Sequence, residues 1–267
     1  MLPTFLVIGG HRCGTTWLYK NFLVHPEIYV PTKYKEIHFF DREFNKGLKH
    51  YETFFEERKK EKVIGEVTPN YLHNKNVAKR IFDTIPDTKI IVSLRNPIDR
   101  LYSHFWLLKS NWKKNRDITF EEKMASKPDM LQEGIYYNDL IRYFEFFDKE
   151  RILVLLFDEL QSDPKKLLKR VYNFLGVRLH YSHNIVNNKV NSADSRRLLA
   201  KSKFLYLIQR AAEKAKLHDF SIWIDNKNKT TLPNMNPETR KWLVEFYWKE
   251  NEKLSELINI DLSRWNN

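Results

Sequence analysis

The chain has a single cysteine among 267 residues, Cys13, so no disulfide can close within it, and no Cys/His spacing suggests zinc. Glycine and proline are scarce, 7 and 10 residues, which leaves no room for long flexible linkers. No stretch approaches the roughly 20 apolar residues that span a bilayer. The apolar pattern begins at Phe5, leaving no space for a signal peptide, so the cytoplasm is the expected compartment. Acidic charge is also short: 34 Asp and Glu against 46 Lys and Arg give a net +12. Such a field attracts nucleic acid, acidic polysaccharide, a membrane surface or a small, highly charged anion. The lysines are scattered, as in Lys59-Lys60, Lys113-Lys114 and Lys165-Lys166, and no nucleic-acid motif accompanies them. Nucleic acid is therefore not an expected partner. A hydrophobic content of 42% supports one large core, and the expectation is a single domain over residues 1–267.

Four apolar residues, Phe5-Leu6-Val7-Ile8, lead into Gly9-Gly10-His11-Arg12-Cys13-Gly14-Thr15-Thr16-Trp17 and then a helical apolar pattern. A strand, a glycine-bearing loop and a helix start form an anion site, because successive amides point inward and the helix dipole favours negative charge. Gly9 and Gly14 have the spacing of the nucleotide phosphate loop, but Thr15 stands where that motif requires lysine. The missing lysine argues against a triphosphate. Arg12, inside the loop, can serve a shorter phosphate ester. Taken alone, the loop also fits a tight strand-to-helix turn with glycines placed for backbone freedom.

Downstream, Trp17–Val24 reads as a helix ending before His25-Pro26. In Lys35-Glu36-Ile37-His38-Phe39-Phe40-Asp41, an extended backbone puts Glu36 and His38 on one face, with the phenylalanines as anchors. That pair is a candidate general base, while surface hydrogen bonding is the other reading of each residue. Val63–Val67 reads as a strand whose Glu66 lies at the ligand-binding edge, either acting directly or orienting the next loop. A helix at Val77–Ile85 leads to a strand at Lys89–Leu94. Arg95 then emerges at its end, Pro97 starts a helix, and Ser103 follows two turns on. Arginine with a hydroxyl makes a second anion clamp, where a phosphate-loop kinase would carry a metal-binding aspartate. Two phosphate sites with no metal carboxylate describe a ligand phosphorylated at both ends, with no metal required.

These residues resemble the sulfotransferase family that takes its sulfonate from 3′-phosphoadenosine 5′-phosphosulfate (PAPS), especially its heparan-sulfate-type and bacterial carbohydrate branch. Gly9–Tyr19 is similar to the 5′-phosphosulfate loop, and Arg95 through Ser103 to the 3′-phosphate site. Lys35–Asp41 is similar to the acceptor-side segment, and Gly65-Glu66-Val67-Thr68-Pro69-Asn70-Tyr71 to a further family signature. Val190-Asn191-Ser192 resembles the loop that closes over the nucleotide. The resemblance implies a three-layer α/β fold with a phosphate-loop-like central parallel sheet, its strands at Phe5–Ile8, Val63–Val67, Lys89–Leu94 and Arg151–Phe157, flanked by helices on both faces. Helices are expected at Tyr136–Phe147, from Asp163-Pro164 to Leu175-Gly176, and within Pro233–Trp265 with Trp242, Phe246, Leu254 and Leu257 on one stripe. Residues 192–232 fit least and read as a basic helix and loop.

The implied reaction is sulfonate transfer from PAPS to a hydroxyl, or else an amine, of a glycan or small-molecule acceptor, releasing PAP. Glu36, His38 and Arg12 take the catalytic roles; Gly10, His11, Arg12, Cys13, Gly14, Thr15, Thr16, Trp17, Arg95, Ser103 and Asn191 bind the donor. Arg12 replaces the usual loop lysine, and Val67 replaces a lysine that contacts acidic sugar in the animal enzymes. The competing readings are a phosphate-loop kinase using ATP, and a non-catalytic binder of acidic polymer.

Overall fold

The computed structural model describes residues 1–111, 118–182 and 233–267, with scattered positions between 205 and 224. Among the described residues, five parallel strands form the sheet: β1 (Phe5–Val7), β2 (Ile28–Tyr29), β3 (Val63–Val67), β4 (Lys89–Leu94) and β5 (Ile152–Leu156), in the order β2-β3-β1-β4-β5. The helices are α1 (Thr15–Leu23), α2 (Leu48–Thr53), α3 (Val77–Thr84), α4 (Pro97–Asn111), α5 (Phe120–Ser126), α6 (Asp129–Gln132), α7 (Tyr136–Phe144), α8 (Phe157–Ser162), α9 (Pro164–Leu175) and, after the undescribed residues, α10 (Pro237–Ile258). None of the helices among the described residues is long and apolar enough to cross a membrane.

The three layers follow from strand alternation. Leu6, Ile8, Ile90, Val92, Leu94 and Val154 pack to one face with residues of α3, α7 and α10. Phe5, Val7, Val67, Ile91 and Leu155 pack to the other with residues of α1 and α9. The expected three-layer architecture is present. Val67 lies in this second core, 1% exposed, so its apolar side chain packs rather than reaching a ligand.

Several boundaries differ from expectation. The fifth strand, β2, has only two residues, too few to show a pattern. β5 stops at Leu156 because the Glu159 carboxylate accepts the Leu156 amide at 3.0 Å, and Phe157 starts α8. On α10 the buried residues are Leu243, Tyr247, Asn251 and Leu254, so Trp242 is exposed and the core stripe is shifted from the predicted one.

Candidate active site

β1 lies between β3 and β4, and the chain leaves it toward β2 while β4 continues to β5. The carboxyl edge at this reversal is where open α/β sheets hold ligands. The loop after β1 is shaped by two constraints. A Cβ on Gly10 would sit 2.6 Å from the Cys13 sulfur, so only glycine lets the chain fold this tightly. Gly14 has φ 89°, a conformation that suits glycine, and α1 begins at the next residue. The amides of Thr15 and Thr16 precede any intrahelical acceptor, while Trp17 N already donates to the Gly14 carbonyl at 2.9 Å, which leaves an electropositive helix end behind the loop.

Arg12 sits at the turn's apex with φ 69°, also left-handed. Its Nε donates to Ser103 Oγ at 3.0 Å, joining the loop to α4. Arg95, at the end of β4, donates to the Arg12 carbonyl at 3.4 Å and lies over the Phe157 ring at 4.6 Å. The Asn96 side chain accepts the Ile98 amide at 2.9 Å, which starts α4 at Pro97 and fixes where Ser103 falls. Arg12, Arg95 and Ser103 are thus one cluster. Cys13 is fully buried, and burial pushes its thiol up to about 11, so the sulfur packs inward as an inert group. Thr15 and Trp17 are also buried, whereas Thr16 is exposed. Asn191 lies outside the described residues.

Glu36 and His38 do come together, but not by a pleat. His38 takes φ 59° and opens the turn Phe39–Glu43, which sets its Nε2 3.6 Å from Glu36 Oε2. The same turn brings Asp41 within 3.0 Å of His38 Nδ1. Sequence reasoning missed Asp41, because an extended chain would turn it away from His38. Lys35 Nζ donates to Glu36 Oε1 at 2.8 Å. Burial raises the Glu36 carboxyl, but the Lys35 hydrogen bond and charge, with His11 and His38 beyond, outweigh it and hold the group below the usual carboxylate range. Glu36 is therefore ionised at neutral pH. His11, in the loop, is lowered chiefly by burial and raised by Glu36, which ties the acceptor-side segment to the loop electrostatically.

Glu66 is 1% exposed. Thr68 and Tyr71 each donate to its Oε1 at 2.6 Å, and Tyr51 donates to Oε2. A direct role is closed to a carboxylate so enclosed; of the two readings, orienting the next loop is the one its contacts permit. Two further pairs carried no sequence signal because their members are distant in the chain. His73 Nδ1 lies 2.6 Å from Asp139, itself held by Arg142 at 2.6 Å. Arg100, fully buried, donates to Glu133 at 3.0 Å beside His104. Among the other aromatics, Tyr71 and Tyr136 are core, Tyr34 is exposed, and Trp106 lines a groove of about 270 Å³ with Tyr102, Phe105 and Phe120.

Burial, and next the Arg100 charge, push His104 down to about 4. An unfolded histidine titrates near 6.5, so above that pH both states are neutral and the group has no effect. Between about 6.5 and 4 the unfolded chain binds the proton first, and stability falls by on the order of 3 kcal/mol. His11, also lowered, adds in the same direction. Urea unfolding followed from pH 7 to 4 is expected to show a falling midpoint. His104→Phe should flatten that slope; an unchanged slope would remove His104 as its source.

A parallel α/β sheet with a glycine-bearing loop after its first strand, an arginine–hydroxyl cluster that ties the loop to β4 and α4, and a carboxylate coupled to that loop through His11 is an arrangement suited to a group-transfer enzyme. Residues 2–258 match the family model for the sulfotransferase domain, and the chain belongs to that family, the PAPS-dependent sulfotransferases. It is 28% identical over 281 residues to the bifunctional heparan sulfate N-deacetylase/N-sulfotransferase 4 of Mus musculus, covering 97% of this chain and 30% of that protein. Against the heparan sulfate glucosamine 3-O-sulfotransferase 3B1 of Homo sapiens it is 28% identical over 270 residues, covering 97% of this chain and 64% of the relative. The chain thus spans about a third of the bifunctional relatives. A crystal structure of a sulfotransferase from Alicyclobacillus acidocaldarius superposes with a TM-score of 0.72 at 25% identity, covering both chains fully. The kinase and polymer-binder readings give way to this membership.

Proposed function

We propose that this sulfotransferase moves the sulfonate of PAPS to a carbohydrate hydroxyl by in-line displacement. The carrying observation is the Arg12–Ser103–Arg95 cluster, which joins the loop after β1 to the end of β4, with Glu36 electrostatically coupled to that loop through His11. In this reading Gly10–Thr16 receive the 5′-phosphosulfate, while Arg95 and Ser103 take the 3′-phosphate. The acceptor oxygen attacks sulfur as the bond to the 5′-phosphate oxygen breaks; Glu36 takes the hydroxyl proton and PAP leaves. His38, between Glu36 and Asp41, keeps the carboxylate aimed and steadies its charge. Holding both ends of the donor supplies orientation, and the loop amides with Arg12 stabilise charge on the leaving phosphate. The glycan acceptor is supported by the named activities of the relatives, which act on heparan sulfate.

The direct test is transfer of radiolabelled sulfonate from PAPS to a panel of desulfated heparan sulfate, other glycans, phenols and lipids. Transfer to a glycan is the expected result; no transfer to any member, or transfer only to phenols or lipids, would refute the corresponding part. The 3′-phosphate assignment has its own check. Arg95→Ala should weaken PAP binding by about 10- to 100-fold, the worth of a charge-assisted bond, yet scarcely alter binding of adenosine 5′-phosphosulfate. Equal losses for the two ligands, measured by calorimetry, would place Arg95 elsewhere.

A further inference from the structure

The reading above needs Glu36 and His38 held still, and neither lies on a strand or a long helix. His38 is left-handed at φ 59°, a state that a non-glycine residue keeps only when its surroundings enforce it. Around it, the Ile37 amide donates to Thr68 Oγ1 at 3.2 Å and the Phe40 amide donates to Tyr71 Oη at 3.1 Å. Phe39, fully buried, stacks on Tyr51 at 4.2 Å between centroids. The three hydroxyl residues that grip this segment are the three that donate to Glu66.

Each hydroxyl has one proton and two lone pairs. With the protons of Thr68 and Tyr71 directed to Glu66, their oxygens can only accept toward Ile37 and Phe40. We propose that Glu66 is a positioning residue: through Thr68 and Tyr71 it fixes the backbone on both sides of His38, and so aims Glu36 and His38 at the donor. The frame extends to the loop. Glu66 pairs in register with Leu6 of β1, Thr68 N donates to the Val7 carbonyl at 3.0 Å, and Leu72 N donates to the Ile8 carbonyl at 2.9 Å. The residues that hold the base are thereby stitched to the strand that delivers the anion loop, so the separation of base and sulfonate is set by one hydrogen-bonded unit.

This rests on Glu36 acting as the base, and the test separates the two. Tyr71→Phe and Thr68→Val each remove one amide acceptor with little change of shape. Both should lower kcat by about 10- to 100-fold, the usual cost of a displacement approaching 1 Å, with PAP affinity within about twofold. Glu66→Gln keeps one oxygen able to accept from both Thr68 and Tyr71, and should retain more activity than Glu66→Met, which keeps none. Transfer from radiolabelled PAPS to the glycan selected by the panel gives kcat, and calorimetry with PAP gives affinity. Unchanged kcat in both Tyr71→Phe and Thr68→Val, or parallel loss of kcat and PAP affinity, would overturn the proposal. If Glu36→Gln abolishes transfer while those two variants do not, only the positioning role falls. If Glu36→Gln is itself active, the functional reading falls first. Should Glu66→Met fail to fold, the other three variants still decide.

Discussion

Glu36→Gln is expected to lower kcat by about 100- to 10,000-fold, the usual range for loss of a positioned general base, while PAP binds with nearly native affinity. Glutamine keeps the size of the side chain and still offers an oxygen to Lys35, which donates to Glu36 at 2.8 Å. It cannot take a proton from an attacking hydroxyl. The split between catalysis and binding follows from the two halves of the site. In the proposed function the donor contacts come from the loop after β1 and from Arg95 and Ser103, and Glu36 belongs to a separate segment anchored by Phe39 and Phe40. Radiolabelled transfer and PAP calorimetry on the same preparation measure both quantities. Parallel loss of the two would make Glu36 a structural residue, and near-native kcat would assign the proton to another group.

Much of the fold was legible because its signals are local. The buried strands at Phe5, Val63, Lys89 and Ile152 show as apolar runs, and each is followed by a turn residue or cap that the backbone requires. What the sequence hid is whatever depends on partners distant in the chain. α10 is apolar on more than one side, and its pattern allows two stripes. The choice is made by α4, α6 and α7, against which Leu243, Tyr247 and Leu254 pack, with the Tyr247 hydroxyl donating to the Leu131 carbonyl at 2.8 Å and Trp242 left outside. The acceptor-side segment shows the same principle at the site. Period-two alternation named Glu36 and His38 for a reason that does not operate, since a left-handed turn, not a pleat, brings them together. That turn is imposed by Thr68 and Tyr71, about 31 residues along the chain, and the same turn recruits Asp41.

Arg12→Ala should lower kcat by about 100- to 1,000-fold, the range for removing one preorganised donor from a site of developing charge. Binding of PAP should fall by much less. The reason is timing: in the proposed mechanism the charge that Arg12 meets grows on the leaving phosphate as the sulfonate departs, so its contribution is largest in the transition state. The Nε–Ser103 bond at 3.0 Å uses one of the five guanidinium N–H donors and fixes the direction of the others. Arg12→Lys keeps the charge without this fork, and recovers part of the rate lost by Arg12→Ala. Ser103→Ala keeps the guanidinium but removes both its tie to α4 and the hydroxyl assigned to the 3′-phosphate, so the part of its loss that appears in kcat and not in PAP affinity gives the value of orientation. Kinetics and PAP affinity for the three variants decide the matter. A loss in Arg12→Ala that lies wholly in donor binding, with kcat preserved, would make Arg12 a ground-state clamp and leave the leaving phosphate to the loop amides.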